Sequence, residues 1–327
     1  MGGDSLERSV TGSHSDLGAD ASFKYQDAAS YDPVVEQFER FTERVTLPIA
    51  TQVVARSRLP AGVAVLDVGC GTGVITRLAA QAVGANGHVT GIDLSEGMLR
   101  KARALADAEH IGPRVELVRG DAESLPLPTA RFDVVLSLYA LRHFPDPARA
   151  TAEMLRVCKP GGRVIIGVGS APPLASAASV AAVARRIGDA LKRPFGRAPL
   201  YATAYLDALI DGALPQADTG RDASWAHEHD HFSKPVAELM RRAGFEAVEV
   251  SWLGQTSAIQ SVEEFWSLQV TLSSKARKRI AAADPAEVQR LKQIFERECG
   301  NHLQRGGRLL YRSGALVTSG RRPTSGK

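Results

Sequence analysis

The residues best suited to chemistry gather in the stretch Val65-Leu66-Asp67-Val68-Gly69-Cys70-Gly71-Thr72-Gly73. An apolar run, Val63 to Val68, leads into it and reads as a buried strand. Three glycines at alternate positions follow, and Val74 to Ala80 then sets apolar residues at helical spacing. Strand, glycine turn and helix open a nucleotide-binding α/β unit. Glycine suits the turn because a ligand must come close to the backbone and because φ turns positive. Asp93 closes a second apolar run 20 residues past Gly73, where an acid can accept both hydroxyls of a ribose. A third run, Val115 to Arg119, ends in Gly120-Asp121-Ala122, and a carboxylate there can accept the exocyclic amine of an adenine. A fourth run leads into Ser137-Leu138-Tyr139 and then Leu141-Arg142-His143-Phe144-Pro145-Asp146. A histidine with an ordinary pKa of ~6.5 can take a proton from a hydroxyl or an enol, so His143 is a candidate general base. Its alternative is a hydrogen-bonded residue of the pocket wall. Arg142 either neutralises a substrate oxyanion or pairs with a carboxylate.

Elements must hold these residues together. Between 63 and 169 strands and helices alternate: strands at 63–68, 87–92, 114–119, 132–138 and 162–168, helices at about 73–83, 95–107 and 147–157. Ser95 caps the second helix with Glu96 in its first turn. Such alternation implies a parallel sheet with right-handed crossovers and ligands at the carboxyl ends of the strands. Asp67, Asp93 and Asp121 all fall at those ends.

These motifs, together with Lys159-Pro160-Gly161-Gly162 just before the fifth strand, resemble the class I S-adenosylmethionine-dependent methyltransferases over about residues 60 to 170. The resemblance implies a doubly wound, seven-stranded, mostly parallel Rossmann-like sheet whose last strand is antiparallel, with helical cap insertions. It implies S-adenosylmethionine as cofactor, held by Asp67, Gly69, Gly71, Thr72, Gly73, Asp93, Leu94, Met98, Asp121, Ala122 and the carbonyl of Leu138. Asp67 is expected to order the glycine turn and meet the methionine amine. Met98 either backs the adenine or is plain core. The acceptor is expected to be an O, N or C nucleophile of a small molecule, for example a secondary metabolite. Leu141-Arg142 also resembles the quinone-biosynthesis C-methyltransferases, which carry asparagine where His143 stands.

Around this core, 1–22 reads as disordered and 23–60 as a helical lid in which Tyr25 and Tyr31 either touch substrate or fill the core. The central unit is 61–170, followed by a cap insertion at 171–232 and the rest of the sheet at 233–320, with a helical insertion at 255–306 and a tail at 321–327. Within the cap, 171–192 and 200–213 read as helices, and Arg185, Arg186, Lys192 and Arg193 could rest on an anionic membrane, though a solvated face is the simpler reading. His227-Glu228-His229-Asp230-His231 invites a metal, but no ligand from another segment is identifiable, so no metal is expected. Ser233 caps a helix from Lys234 to Ala243.

Composition is that of an ordinary globular chain: 327 residues, 44% hydrophobic, 23% charged, net charge +4. That charge is too mild to argue for nucleic acid. Scattered Cys70, Cys158 and Cys299 fit a reducing cytoplasm, and Cys70 reads as packing. A dehydrogenase would place its third glycine one residue later. A nucleic-acid methyltransferase would show a basic domain with interleaved aromatics. A fold that binds the cofactor without turnover is the remaining alternative.

Overall fold

The computed structural model describes residues 19–170, 200–214 and 235–324. The central alternation forms as the apolar periodicity requires. Strands β1 (Ala64–Val68), β2 (His88–Asp93), β3 (Val115–Arg119), β4 (Phe132–Leu138) and β5 (Cys158–Gly169) are parallel. A two-residue strand β6 (Leu200–Tyr201) and two long strands, β7 (Glu246–Ile259) and β8 (Leu309–Arg321), complete the sheet. Its order is β3-β2-β1-β4-β5-β8, with β7 and β6 both beside β8. Among these strands β8 alone runs against its neighbours β5 and β7, while β6 pairs parallel to it. The antiparallel last strand of the expected seven is therefore present. The eighth strand is the short β6, too brief to leave a periodic signal.

Helices cover both faces. α4 (Val74–Val83) and α3 (Leu47–Ser57) bury Ile75, Ala79, Val83, Ile49 and Val53 against Val65, Val89 and Leu136. On the other face α6 (Pro147–Val157) and α8 (Pro235–Ala243) bury Met154, Val236 and Met240 against Leu66, Val135 and Ile166. Asp146 caps α6 by accepting from Arg149 N at 2.9 Å, and Pro147 sits in its first turn. α5 (Glu96–Ala108) completes the central crossovers, with Ser95 Oγ accepting from Met98 N.

The helical lid expected over 23–60 is segmented: after α1 (Ala19–Ala29) come a 3₁₀ turn Asp32–Val34, α2 (Val35–Phe41), a π-helical turn Thr42–Thr46, and α3. The segment expected to lack structure up to residue 22 is thus helical from Ala19. β7 and β8 run past the carboxyl end of β5, and this two-stranded extension carries a helical cap. α7 (Ala202–Ala213), α9 (Val262–Leu272), α10 (Ser274–Ala282) and α11 (Pro285–Gln304) bury Leu206, Phe265 and Phe295 against Leu309. The helical insertion expected at 255–306 is broken twice, by Ser273 capping α10 and by Asp284 capping α11 ahead of Pro285. The helix expected to Ala243 is described over Pro235–Ala243. The readings for 171–192, for the histidine stretch 227–231, for the cap at Ser233 and for the basic residues 185–193 lie outside the described residues.

Candidate active site

The register brings the tips of three strands side by side: Asp67 lies opposite Gly91 on β2, and Asp93 opposite Arg119 on β3. Between them the turn Gly69–Gly73 folds over the sheet. Gly69, Gly71 and Gly73 take φ of 71°, 54° and 82°, the left-handed region that only glycine enters freely. Their surroundings differ. A Cβ on Gly69 would lie 2.3 Å from Ala140 Cβ, and one on Gly73 would lie 3.1 Å from Ala102 Cβ on α5. A Cβ on Gly71 would meet nothing within 4 Å. Packing therefore requires glycine at Gly69 and leaves little room at Gly73, whereas Gly71 leaves an open cradle above the backbone. The space over Gly71 and the carboxylates around the turn fit an adenosyl cofactor carrying a ribose and an ammonium.

The turn is held chiefly by Asp93. Its Oδ2 accepts from Gly71 N and its Oδ1 from Ser95 N, both at 2.9 Å, and Gly69 N and Cys70 N donate to Ile92 O. Asp67, expected to order the turn, instead accepts from Thr76 Oγ1 at 2.7 Å inside the first turn of α4. It is 1% exposed, and burial pushes its carboxyl up to about 7, with nearby Asp93 adding to the rise and the Thr76 bond opposing it. Burial likewise raises Asp93 against the pull of its backbone donors. Two carboxylates held above their ordinary range next to an open cradle form a place for positive charge. Cys70 is buried with its thiol raised by desolvation and by these acids, so it packs and does not attack.

The third tip is occupied differently from expectation. Asp121 Oδ1 accepts from Glu123 N, and Lys24 Nζ of α1 pairs with Asp121 Oδ2 and with Glu123 Oε2. An ammonium from the lid thus stands where an adenine amine was expected. Burial works against the Lys24 charge, yet its bonds to the two acids outweigh this and raise its pKa. Ala122 is buried beside them. The lid is tied down at two further points. Asp32 Oδ1 accepts from Ser95 Oγ at 2.8 Å and lies so close to α5 that a Cβ on Gly97 would come within 2.4 Å of it. Arg77 donates to the carbonyl of Thr72 at 2.7 Å and pairs with Glu39 of α2 and with Glu109. One buried guanidinium so fixes the glycine turn to the lid.

Past β4, Tyr139 adopts φ of 63°, and the 3₁₀ turn Leu141–His143 follows. Arg142 Nη2 donates to Gly169 O at 2.8 Å. His143 Nδ1 lies 2.7 Å from Asp27 Oδ2 of α1, and the edge of its ring meets Tyr31. Asp27 also pairs with Lys278 of α10 at 2.9 Å. Arg277 stacks 4.0 Å over the Tyr31 ring. Tyr31 therefore fills a wall, and burial pushes its hydroxyl up to about 12. Tyr25 is half-buried on α1, Leu94 half-buried after β2, and Met98 and Leu138 are buried. Asp27, Lys24, Asp32, Arg77 and Lys278 carry no sequence signal for the site. Their partners lie tens to hundreds of positions away, and only the paired charge types on α1 hint at docking.

The sheet order, the glycine cradle and the acids at the strand tips define a protein that binds an adenosyl cofactor for group transfer. A family profile described as "Methyltransferase domain" matches residues 65–162. The demethylmenaquinone methyltransferase of Lactococcus lactis subsp. lactis is 33% identical over 196 residues, which is 58% of this chain and 68% of the relative. The chain belongs to the class I S-adenosylmethionine-dependent methyltransferases. A demethylmenaquinone methyltransferase of Listeria monocytogenes is 42% identical over 107 residues, 33% of this chain and 45% of that relative, so the chain spans less than half of that relative's length. Haemonchus contortus phospholethanolamine N-methyltransferase 2, solved with phosphomonomethylethanolamine and S-adenosylhomocysteine, shares the fold. Its TM-score is 0.51 at 15% identity, covering 94% of this chain and 60% of that one. The protein is an S-adenosylmethionine-dependent methyltransferase.

Among the described residues no group of His, Cys, Asp or Glu is placed to hold a metal, and no helix is long and apolar enough to cross a membrane.

Proposed function

We propose that this methyltransferase acts on a small molecule whose nucleophile is an acidic O–H or C–H, such as a phenol, an enol or a quinol of secondary metabolism, with His143 as general base. The observation that carries the reading is the place of His143: one 3₁₀ turn beyond the tip of β4, with Nδ1 engaged by Asp27 and no hydrogen-bond partner for Nε2 among the described residues. When bound, S-adenosylmethionine supplies a methyl activated by its sulfonium for in-line displacement. The chain's residues position, exclude water and take the proton. Asp93 and the turn Gly69–Gly73 hold the adenosyl part, Asp67 faces the ammonium, and the helices α1 and α2 cover the cleft. The acceptor's O–H or C–H bond breaks, its proton goes to Nε2, and its electron pair forms the bond to the methyl.

A second reading is ring C-methylation of a reduced quinone. The demethylmenaquinone methyltransferases among the relatives favour it. Loss of the ring proton there calls for the same base. Incubation with methyl-labelled cofactor, once with a reduced demethylated naphthoquinone and once with a panel of phenols and enols, separates the readings by the mass and site of the label. Label on the naphthoquinol carbon supports the second, and label on the panel supports the first. Label on neither, with transfer to an amine instead, removes the acidic-nucleophile reading.

A further inference from the structure

Two helices and one turn, far apart in sequence, supply polar groups to one point. Asp27 comes from α1, His143 from the turn after β4, and Lys278 from α10, a part of the cap. Asp27 is 3% exposed, and its two oxygens are divided: Oδ2 lies 2.7 Å from His143 Nδ1, Oδ1 lies 2.9 Å from Lys278 Nζ. The His143 side chain keeps 35% of its surface while that of Asp27 keeps 4%, so the acid lies behind the ring and the ring borders the cleft. Tyr31 meets the ring at 5.8 Å in an edge-to-face contact, and Arg277 holds Tyr31 from the far side. The ring is thus fixed in direction by one hydrogen bond and one aromatic wall.

We propose that Asp27 is a positioning residue: it holds His143 as the tautomer protonated at Nδ1 and so presents Nε2 to the acceptor, with Lys278 setting how strongly it does so. The chemistry follows from the geometry. An ionised carboxylate only accepts, so the neutral ring beside it must carry its hydrogen on Nδ1, and Nε2 is left as the lone-pair nitrogen. When Nε2 takes the acceptor proton, the buried carboxylate stabilises the imidazolium that forms. Burial opposes the charge of Asp27, but the bonds and charges of His143 and Lys278 outweigh it and hold the carboxyl well below its usual range, so it stays ionised. Lys278 works in the opposite direction to Asp27 on the ring, since its ammonium competes for the same carboxylate and repels an imidazolium. The other groups around the ring are Tyr31, kept neutral by burial, Arg277 behind it, Arg142 beside it in the chain, and Asp93, which lies within electrostatic reach.

The arrangement also makes the base conditional on a closed lid. α1 brings Asp27 only when it is docked, and the same helix carries Lys24 to Asp121 and Glu123. A ring without Asp27 is free to adopt either tautomer.

The inference rests on the reading of His143 as base, and its test needs no acceptor. Full-length protein labelled with ¹⁵N-histidine is titrated by long-range ¹H–¹⁵N NMR, with the His143 signals assigned by their absence in His143→Gln. The expected neutral form is protonated at Nδ1. In Asp27→Asn the neutral ring is expected to lose its bias toward Nδ1 protonation, and in Lys278→Met to keep it. A mere structural tie would lower the melting temperature of Asp27→Asn and leave its neutral tautomer unmoved. An Nε2-protonated neutral ring in the parent, or the same tautomer in the parent and in Asp27→Asn, overturns the proposal. Should Asp27→Asn fail to fold, the tautomer of the parent decides alone. Methyl transfer by His143→Gln, on whichever acceptor the labelling experiment yields, separates the two claims. Full turnover there sinks the base and leaves the tautomer assignment standing. An unmoved tautomer in Asp27→Asn with a dead His143→Gln sinks Asp27 and leaves the base.

Discussion

Replacing Asp67 by asparagine should stabilise the cofactor-free protein while destroying the cofactor site. The carboxyl stands at about 7 instead of its ordinary 3.8 because it is buried with one hydroxyl donor, Thr76. A carboxylate raised on folding favours the native state fully below its unfolded value and loses that contribution as pH climbs through the folded one. At pH 8 the ionised, buried group therefore burdens the fold. About three pH units at about 1.4 kcal/mol each give about 4 kcal/mol. The amide introduces two N–H donors into the same space, which costs about 1–3 kcal/mol. The net expectation at pH 8 is a gain of about 2 kcal/mol, or about 4 °C in melting temperature for a chain of this size. At pH 5 Asp67 is already neutral, and the gain should vanish or reverse. Melting curves of the two proteins at pH 5 and pH 8, with and without S-adenosylhomocysteine, provide the assay. The ligand should raise the parent's melting temperature by mass action and leave the variant's unchanged. A variant less stable than the parent at pH 8, or a difference that is the same at both pH values, refutes the electrostatic reasoning.

Other outcomes follow from the same geometry. Gly69→Ala should cost about 2–4 kcal/mol, since a left-handed φ and a Cβ driven into Ala140 act together, and urea unfolding reads this directly. Gly71→Ala, with open space around it, should unfold within about 1–2 kcal/mol of the parent yet bind S-adenosylhomocysteine at least about tenfold more weakly by calorimetry, because the methyl enters the cradle. Lys24→Met should tighten cofactor binding a few-fold, as Asp121 is released from the lid ammonium; weaker binding would mean that Lys24 stays and supports the adenine.

Much of the site was legible because its signals are local. The alternation of apolar runs and helical spacings specified the parallel sheet, and the acids at 67, 93 and 121 follow from the ends of those runs. Asp93 takes the task of holding the turn because its strand brings it beneath Gly71 N, whereas Asp67 is drawn to Thr76 one helical turn into α4. That exchange depends on side-chain direction, which spacing does not encode. The lid was only partly legible. A helical lid was expected over 23–60, but the π turn at Thr42–Thr46 and the docking of α1 come from tertiary contacts such as Arg77 with Glu39 and Lys24 with Asp121. Asp27 is the plainest case. Alone on α1 it reads as a surface acid, and its meaning appears only when His143 and Lys278, 116 and 251 positions away, are brought to it.

The central claim is that the strand tips and glycine turn form the cofactor cradle, with Asp93 both holding the turn and receiving the ribose. Calorimetric binding of S-adenosylhomocysteine to the parent and to Asp93→Ala tests it most directly. Loss of two hydrogen bonds to a charged group, each worth about 1.5–3 kcal/mol, predicts at least about a hundredfold weaker binding. Equal affinity in the two proteins would contradict the account.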